Sequence, residues 1–170
     1  RSISVRRPQF FRQWVNQGST MQFTPYLNFD GNCAEAFAFY AQVFGGTIVY
    51  QGTFGDMPAQ PGMPPLPESA KNRIMHIHLQ VGAQSLMASD TMPAAPGQDP
   101  DSCGGGYRKP QGLWVSIQVA NAAEGQRVFD ALAQGGAVAM PYAKTFWSEG
   151  FGMVTDRFGT PWMVNVPGQS

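Results

Sequence analysis

An internal repeat is the feature of this sequence that most constrains its fold. The stretch NCAEAFAFYAQVFGG (32–46) is echoed by NAAEGQRVFDALAQGG (121–136) when one gap is allowed. The matched positions include Asn32 with Asn121, Ala34 with Ala123, Glu35 with Glu124, Tyr40 with Phe129, and Gly45 and Gly46 with Gly135 and Gly136. Repetition at a distance of roughly ninety residues is typical of a duplicated structural unit. Each unit is too short to bury both faces of a sheet alone, so the sequence predicts two similar halves that pack together.

The first half has the pattern strand, helix, strand, strand, strand. Apolar and polar residues alternate in MQFTPYLNF from Met21, which is the period of a strand. Asn32 is expected to cap a helix over Cys33–Phe44, where apolar residues recur every three or four positions and Gly45 supplies a stop. Strands are also predicted for TIVYQGTF, RIMHIHLQV and QSLMASD, and a proline-rich loop, DMPAQPGMPPLPESAKN, follows the first of these.

The second half repeats this order with GLWVSIQVA, the echoed helix, AVAMPYAK, FGMVTDRFG and TPWMVNV. The predicted fold class is therefore α+β, with two βαβββ modules. We assign 21–110 to the first module with its loop and 111–170 to the second. We expect 1–20 to be an N-terminal extension that is not part of the fold, because it is rich in Arg, lacks acidic residues and has no counterpart in the repeat.

Composition excludes several classes of partner. Of the 170 residues 43% are hydrophobic, and 11 basic residues balance 11 acidic ones. A chain without excess charge has no field to hold nucleic acid, and no apolar run is long enough to span a bilayer. Cys33 and Cys103 have neither metal-ligand spacing nor the density of a disulfide scaffold, which favours a reducing cytoplasm. We therefore expect a cytoplasmic protein whose partner is an uncharged small molecule.

Several motifs occur together in a fixed order, namely TPYLNFDGNCAEAFAFYAQVFGG, LMASD and KTFWSEGFGMVTDRFGTPWMVN. From about Met21 to Val166 they resemble the PhnB-like branch of the vicinal oxygen chelate superfamily, which includes glyoxalases, bleomycin-resistance proteins and dioxygenases. The resemblance implies paired βαβββ modules whose mixed sheets curl around a cavity, usually in a dimer. Open sheet edges and an apolar rim with Phe146 and Trp147 also favour a homodimer.

The resemblance also bears on metal binding, because metal-dependent members hold a divalent ion with His or Glu side chains from the first and last strands of each module. The corresponding positions here are Tyr26 or Asn28 on the first strand, Met87 or Ser89 on the fourth, Trp114 on the fifth and Met163 on the eighth. These side chains lack the imidazole, carboxylate or thiolate donors that such ions require, and Ser116, Gln118 and Asn165 do not supply them either. We therefore expect no metal.

Some members of the branch are labelled methyltransferases of ubiquinone synthesis. A nucleotide-type methyl donor requires a glycine-rich turn between a strand and a helix, whereas the dense glycine run at 104–106 follows DPDS inside a loop. We therefore expect no cofactor.

The chain has two histidines, His76 and His78, which are two residues apart in a predicted strand. Both point to one face of the sheet, while Ile77 and Leu79 point to the other. Three interpretations remain open: hydrogen-bonded lining residues without chemistry, ligand contacts or an acid and base, and half of a metal site.

The same alternation places the candidate ligand-binding residues on the face that would line the cavity. They are Tyr26, Asn28, His76, His78, Met87, Ser89, Trp114, Gln118, Met163 and Asn165. Such a mixture of apolar and hydrogen-bonding groups suits a neutral, partly aromatic molecule, although the same side chains could instead fill a collapsed barrel.

The leading functional hypothesis is binding of a small organic molecule without metal. The alternatives are a metal-dependent lyase, isomerase or dioxygenase of the superfamily, and a dimeric interaction protein without ligand. No Ser or Cys has an evident His and acid arrangement, so the sequence assigns no catalytic residue.

Overall fold

The computed structural model of the chain describes residues 21–58, 65–93, 97, 99 and 106–168. The predicted extension at 1–20, Cys103 and most of the glycine run lie outside these residues. Within the described part, no helix combines the length and the apolar character needed to cross a membrane.

The first module follows the predicted order of elements. It contains β1 (Tyr26–Phe29), α1 (Cys33–Phe44), β2 (Thr47–Thr53), α2 (Glu68–Lys71), β3 (Ile74–Val81) and β4 (Gln84–Asp90). The short helix α2 lies where the sequence predicted only a loop, and a 3-10 turn at Phe54–Asp56 begins at the last residue of the predicted strand TIVYQGTF. The sheet has the strand order β1-β4-β3-β2, in which β1 runs parallel to β4 and the other pairs are antiparallel.

The second module has the same architecture. It contains β5 (Val115–Gln118), α3 (Ala122–Ala133), β6 (Ala137–Ala143), β7 (Ser148–Thr155) and β8 (Pro161–Pro167). Its strand order is β5-β8-β7-β6, again with one parallel pair, β5 and β8. The two βαβββ modules predicted from the repeat are thus confirmed. Trp114 was predicted inside the fifth strand, but β5 begins one residue after it.

The two matched asparagines differ in their roles at the helix starts. Asn121 Oδ1 accepts a hydrogen bond from the Glu124 amide at 2.9 Å and so caps α3. The Asn32 side chain makes no capping bond, contrary to the prediction. Instead the buried Asp90 carboxylate accepts from the amides of Gly31 and Cys33, at 2.7 Å and 3.1 Å. A carboxylate near the helix start also complements the helix dipole.

The helix-facing sides of both sheets share one hydrophobic core. Phe37 of α1 and Leu132 of α3 belong to it, together with Ile77 from the first sheet and Val154 from the second. Contacts between the helices connect the halves, since Arg127 Nη2 donates to the Val43 carbonyl at 2.9 Å. Helices α1 and α3 therefore lie between the sheets and leave the opposite side of each sheet uncovered by either of them.

Candidate functional site

The first sheet presents polar and aromatic side chains on the side away from the helices. Tyr26 lies opposite Met87, Met87 opposite His78, and Asn28 opposite Ser89 in the strand register. Because directly opposite residues point to the same side of a sheet, they form one surface. This first face consists of Tyr26, Asn28, Tyr50, His76, His78, Gln80, Ser85, Met87 and Ser89.

The second sheet has a corresponding surface. Ser116 lies opposite Met163, and Gln118 lies opposite Asn165. Across β7, Met163 is opposite Met153 and Asn165 is opposite Phe151. This second face consists of Ser116, Gln118, Phe151, Met153, Met163 and Asn165, with Trp114 immediately before β5 and 37% exposed.

The predicted ligand-binding residues are divided between these two faces. Six of them lie on the first face: Tyr26, Asn28, His76, His78, Met87 and Ser89. Gln118, Met163 and Asn165 lie on the second face, with Trp114 beside them. Since the helix-facing sides of both sheets share one core, the two faces lie on different outer sides of the chain.

Tyr26 and His76 form the most organised contact of the first face. Tyr26 Oη lies 3.2 Å from His76 Nδ1, and the two rings stack with centroids 5.7 Å apart. Tyr26 reaches across β4 to make this contact; Met87 of β4, which lies between Tyr26 and His78 in the strand register, is only 4% exposed. Tyr50 flanks the imidazole of His76 on the β2 side at 5.8 Å. A Cβ on Gly52 would lie 2.5 Å from the Tyr50 hydroxyl, so the glycine makes room for this ring.

His78 belongs to a separate hydrogen-bonded group. Its Nε2 lies 3.0 Å from Ser85 Oγ, and that hydroxyl donates to Gln80 Oε1 at 3.3 Å. Burial lowers the pKa of His78, although the hydrogen bond with Gln80 opposes the effect. Burial, and then the neighbouring His78, lower the pKa of His76. Both imidazoles are therefore uncharged at neutral pH and can donate or accept hydrogen bonds.

The second face combines amides with aromatic rings. Asn165 Nδ2 donates to Gln118 Oε1 at 2.7 Å, and Gln118 Nε2 donates to Ser116 Oγ at 3.2 Å. Phe151 lies beside this row, and the Trp147 ring packs edge-on against it at 5.8 Å. Phe146 follows at 4.5 Å from Trp147, at the tip of the β6–β7 hairpin. An open groove of about 630 Å³ runs along that tip between Trp147 and Gly168.

The strand register identifies the positions where a superfamily metal ion would be held. Met87 and Met163 occupy equivalent places in the two sheets, so Tyr26 corresponds to Ser116, and Asn28 to Gln118. Trp114 lies one residue before β5, and the positions on β5 that lie opposite Met163 and Asn165 are Ser116 and Gln118.

The side chains at these positions do not fit a divalent ion. The two possible sets are Tyr26, Met87, Ser116 and Met163, or Asn28, Ser89, Gln118 and Asn165. Neither set contains a carboxylate, an imidazole or a thiolate. Across the ranges that the structure describes, no three His, Cys, Asp or Glu side chains come together as a possible ligand cluster.

Six residues of these faces were not among the candidate ligand-binding residues: Tyr50, Gln80, Ser85, Ser116, Phe151 and Met153. Alternation in TIVYQGTF could not reveal Tyr50, because it has the same parity as Ile48, which packs against the core; a β-bulge between the two residues turns Tyr50 to the side of His78.

Comparison with known proteins finds a matching family model, a sequence relative and solved structures with a similar fold. The family model described as Glyoxalase/Bleomycin resistance protein/Dioxygenase superfamily matches residues 22–164. Protein YjdN of Escherichia coli (strain K12) is 36% identical over 151 residues, which cover 86% of this chain and 95% of that protein. Protein PA1353 from Pseudomonas aeruginosa, whose crystal structure is known, is 43% identical in sequence to this chain and matches its fold with a TM-score of 0.71. The match covers 88% of this chain and 100% of that one. The PhnB protein from Bacillus cereus shares the fold, with a TM-score of 0.64 at 22% identity over 86% of this chain and 99% of its own.

Proposed function

This chain belongs to the Glyoxalase/Bleomycin resistance protein/Dioxygenase superfamily, and we propose that it binds a small, uncharged, partly aromatic organic molecule without a metal ion. The molecule lies between the first face of one copy and the second face of another copy in a homodimer. One observation carries this proposal: within the described part of the chain, the two polar and aromatic faces are open and lie on different sides.

Exposed aromatic side chains support the second copy as the element that closes the site. Tyr26 on the first face is 49% exposed, and Trp147 beside the second face is exposed to the same extent. Phe146 is 97% exposed at the hairpin tip. Aromatic groups of this kind are typical of interfaces, where they bury large areas at low cost in side-chain entropy. A two-fold dimer would cover both faces of each chain in one closed assembly.

The chemistry of the faces supports an uncharged ligand. The residues that define them include no carboxylate, Lys or Arg, and the two imidazoles are neutral at neutral pH. A charged ligand would lose its hydration without gaining a counter-charge, which is unfavourable in a closed site. Amides, hydroxyls and aromatic rings instead suit a neutral molecule with a ring and a few hydrogen-bonding groups.

An acid–base enzyme is the second candidate function. It is favoured by the contact of 3.2 Å between Tyr26 Oη and His76 Nδ1, which couples a phenol to an imidazole on an open face. A neutral imidazole can take a proton from a bound molecule, and a phenol can donate a hydrogen bond to the oxygen that gains charge. Dependence of any turnover on both His76 and Tyr26, with binding retained in Tyr26→Phe, would distinguish this role from binding alone.

Titration of aromatic and quinone-like compounds against tryptophan fluorescence tests the binding proposal. We expect a saturable response from the wild-type chain and an altered response from Trp114→Phe, because Trp114 lies beside the second face. Gln42→Ala, an exposed change on α1, is the matched control and should respond as the wild type does. A broad panel without any saturable response would instead favour an interaction protein without ligand.

A further inference from the structure

The second face contains a hydrogen-bond acceptor that the chain itself leaves unsatisfied. Asn165, Gln118 and Ser116 form a hydrogen-bonded row. The Asn165 amide nitrogen donates to Gln118, and the Gln118 amide nitrogen donates to Ser116. Asn165 Oδ1, at the end of the row, is buried and has no hydrogen-bond partner among the residues that the structure describes. Covered polar atoms without partners are rare in native proteins, and each one calls for a specific explanation.

This unsatisfied carbonyl is specific to the second half of the chain. Since Met87 and Met163 occupy equivalent places, Ser89 is the counterpart of Asn165. Ser89 Oγ donates to Asn28 Oδ1 at 3.3 Å and has no carbonyl group to satisfy. The acceptor is therefore not a by-product of the duplicated architecture.

The surroundings of the acceptor restrict what could bind to it. Phe151 is the cross-strand neighbour of Asn165 on β7, and the rings of Trp147 and Phe146 continue from it toward the hairpin tip. The residues that define the second face carry no ionisable side chain, and the two charges that line the groove at the hairpin tip, Lys144 and Glu149, pair with each other. A cationic donor would find no unpaired counter-charge among these residues, and an anion would face a carbonyl oxygen, so an uncharged donor fits best.

We propose that Asn165 Oδ1 accepts a hydrogen bond from an uncharged ring N–H or O–H of the bound molecule, whose ring packs against Phe151 and Trp147. This inference rests on the proposed function and adds the chemical class of the ligand, a planar heteroaromatic or phenolic compound with a donor. Gln118, whose oxygen accepts from the Asn165 amide, is exposed on the same face.

Two probes of nearly identical shape test the inference. Indole and benzofuran differ in that only indole carries an N–H donor. In ligand-observed NMR titrations of the full chain, we expect indole to bind about five- to tenfold more tightly, which is the size of one neutral hydrogen bond. Asn165→Leu should weaken indole binding to the level of benzofuran and leave benzofuran binding unchanged.

The control is Gln42→Leu, which makes the same kind of amide-to-Leu change at an exposed position of α1 outside both faces and should keep the preference for indole. Thermal unfolding distinguishes a ligand contact from a structural role. Asn165→Leu removes an unsatisfied carbonyl, and the Gln118 oxygen that loses its donor lies on an exposed side chain, so the variant should unfold no earlier than the wild type. Earlier unfolding would indicate that the Asn165 amide has a structural role instead.

The comparison of indole with benzofuran can be made on the wild-type chain alone. Equal affinity for the two probes, or a preference for indole that survives in Asn165→Leu, overturns the role of Asn165 and leaves binding at the faces standing. Binding of neither probe overturns the proposed function, and this inference with it.

Discussion

Tyr40 Oη donates a 2.6 Å hydrogen bond to Asp156 Oδ2, and this bond joins the two halves of the chain through their shared core. Asp156 also accepts from Trp162 Nε1 at 2.8 Å, and its other oxygen accepts from two backbone amides. The repeat matches Tyr40 to Phe129, so the hydroxyl is a feature that one half has and the other lacks. Because this bond fixes the halves with their helix-facing sides together, the two candidate faces remain available to a second chain.

We expect Tyr40→Phe to lower the free energy of unfolding by about 1–3 kcal/mol, because it leaves a buried carboxylate with one donor fewer. Burial first, and then the Asp156 charge, raise the pKa of the Tyr40 hydroxyl, which keeps it a donor throughout the accessible pH range. Urea denaturation measures the change. Tyr142→Phe is the matched control, since its hydroxyl donates to the Ala122 carbonyl at an exposed site, 3.2 Å away. Equal losses in the two variants would contradict the assigned role of Asp156.

The two histidines should titrate below the ordinary value of 6.5, because burial lowers the pKa of both. NMR titration of the imidazole C2 protons measures this directly. Replacing His78 by Gln should raise the pKa of His76, because a neighbouring positive charge is removed, while burial still holds that pKa below 6.5. A value for His76 that does not change in His78→Gln would show that the two rings are not coupled.

The lowered pKa values of His76 and His78 also predict how the free energy of unfolding changes with pH. Both folded-state pKa values lie below the unfolded value, so the unfolded chain takes up protons first as the solution becomes acidic. This contribution to stability is fully present above pH 6.5 and decreases as the pH falls from 6.5 toward the folded-state values. In His76→Gln/His78→Gln, the unfolding midpoint should depend less on pH in that window.

The sequence predicts those parts of the fold and the site that depend on neighbouring residues better than those that depend on residues far apart in the chain. Helix and strand patterns are local, so the order of elements and the face of His76 or Gln118 follow from a period of 3.6 or 2. The repeat supplied the two modules. Asn32 shows the limit, because a local rule predicted a cap that is instead provided by Asp90, 57 residues away from Cys33.

The packing of the halves is the part that the sequence did not reveal. Nothing in either module's pattern states whether the helices or the open faces meet, because both arrangements bury apolar surface. The answer depends on contacts such as that of Tyr40 with Asp156, 116 residues apart. Tyr50 was hidden for another reason, since a β-bulge after Ile48 reverses the side that alternation predicts for it.

Elemental analysis should find far less than one transition-metal ion per chain after purification. The positions where the superfamily holds its ion carry neutral oxygen and thioether groups, and His76 with His78 would supply two ligands where a tight site requires three or four. About one ion per chain, lost in His76→Ala/His78→Ala, would contradict the expectation and favour a metal-dependent enzyme.

A site shared between two chains can be tested by mixing two defective variants. His76→Ala damages the first face and Asn165→Leu the second, so each homodimer should bind an indole probe weakly. In a mixed dimer, one site contains both damaged faces, but the other pairs two intact faces. Coexpression with two affinity tags, followed by titration of the purified mixed dimer, should therefore recover one wild-type site. A mixture of His76→Ala with Tyr26→Ala damages the first face in every site and should recover none. Failure of the first mixture to recover binding would place each site within a single chain.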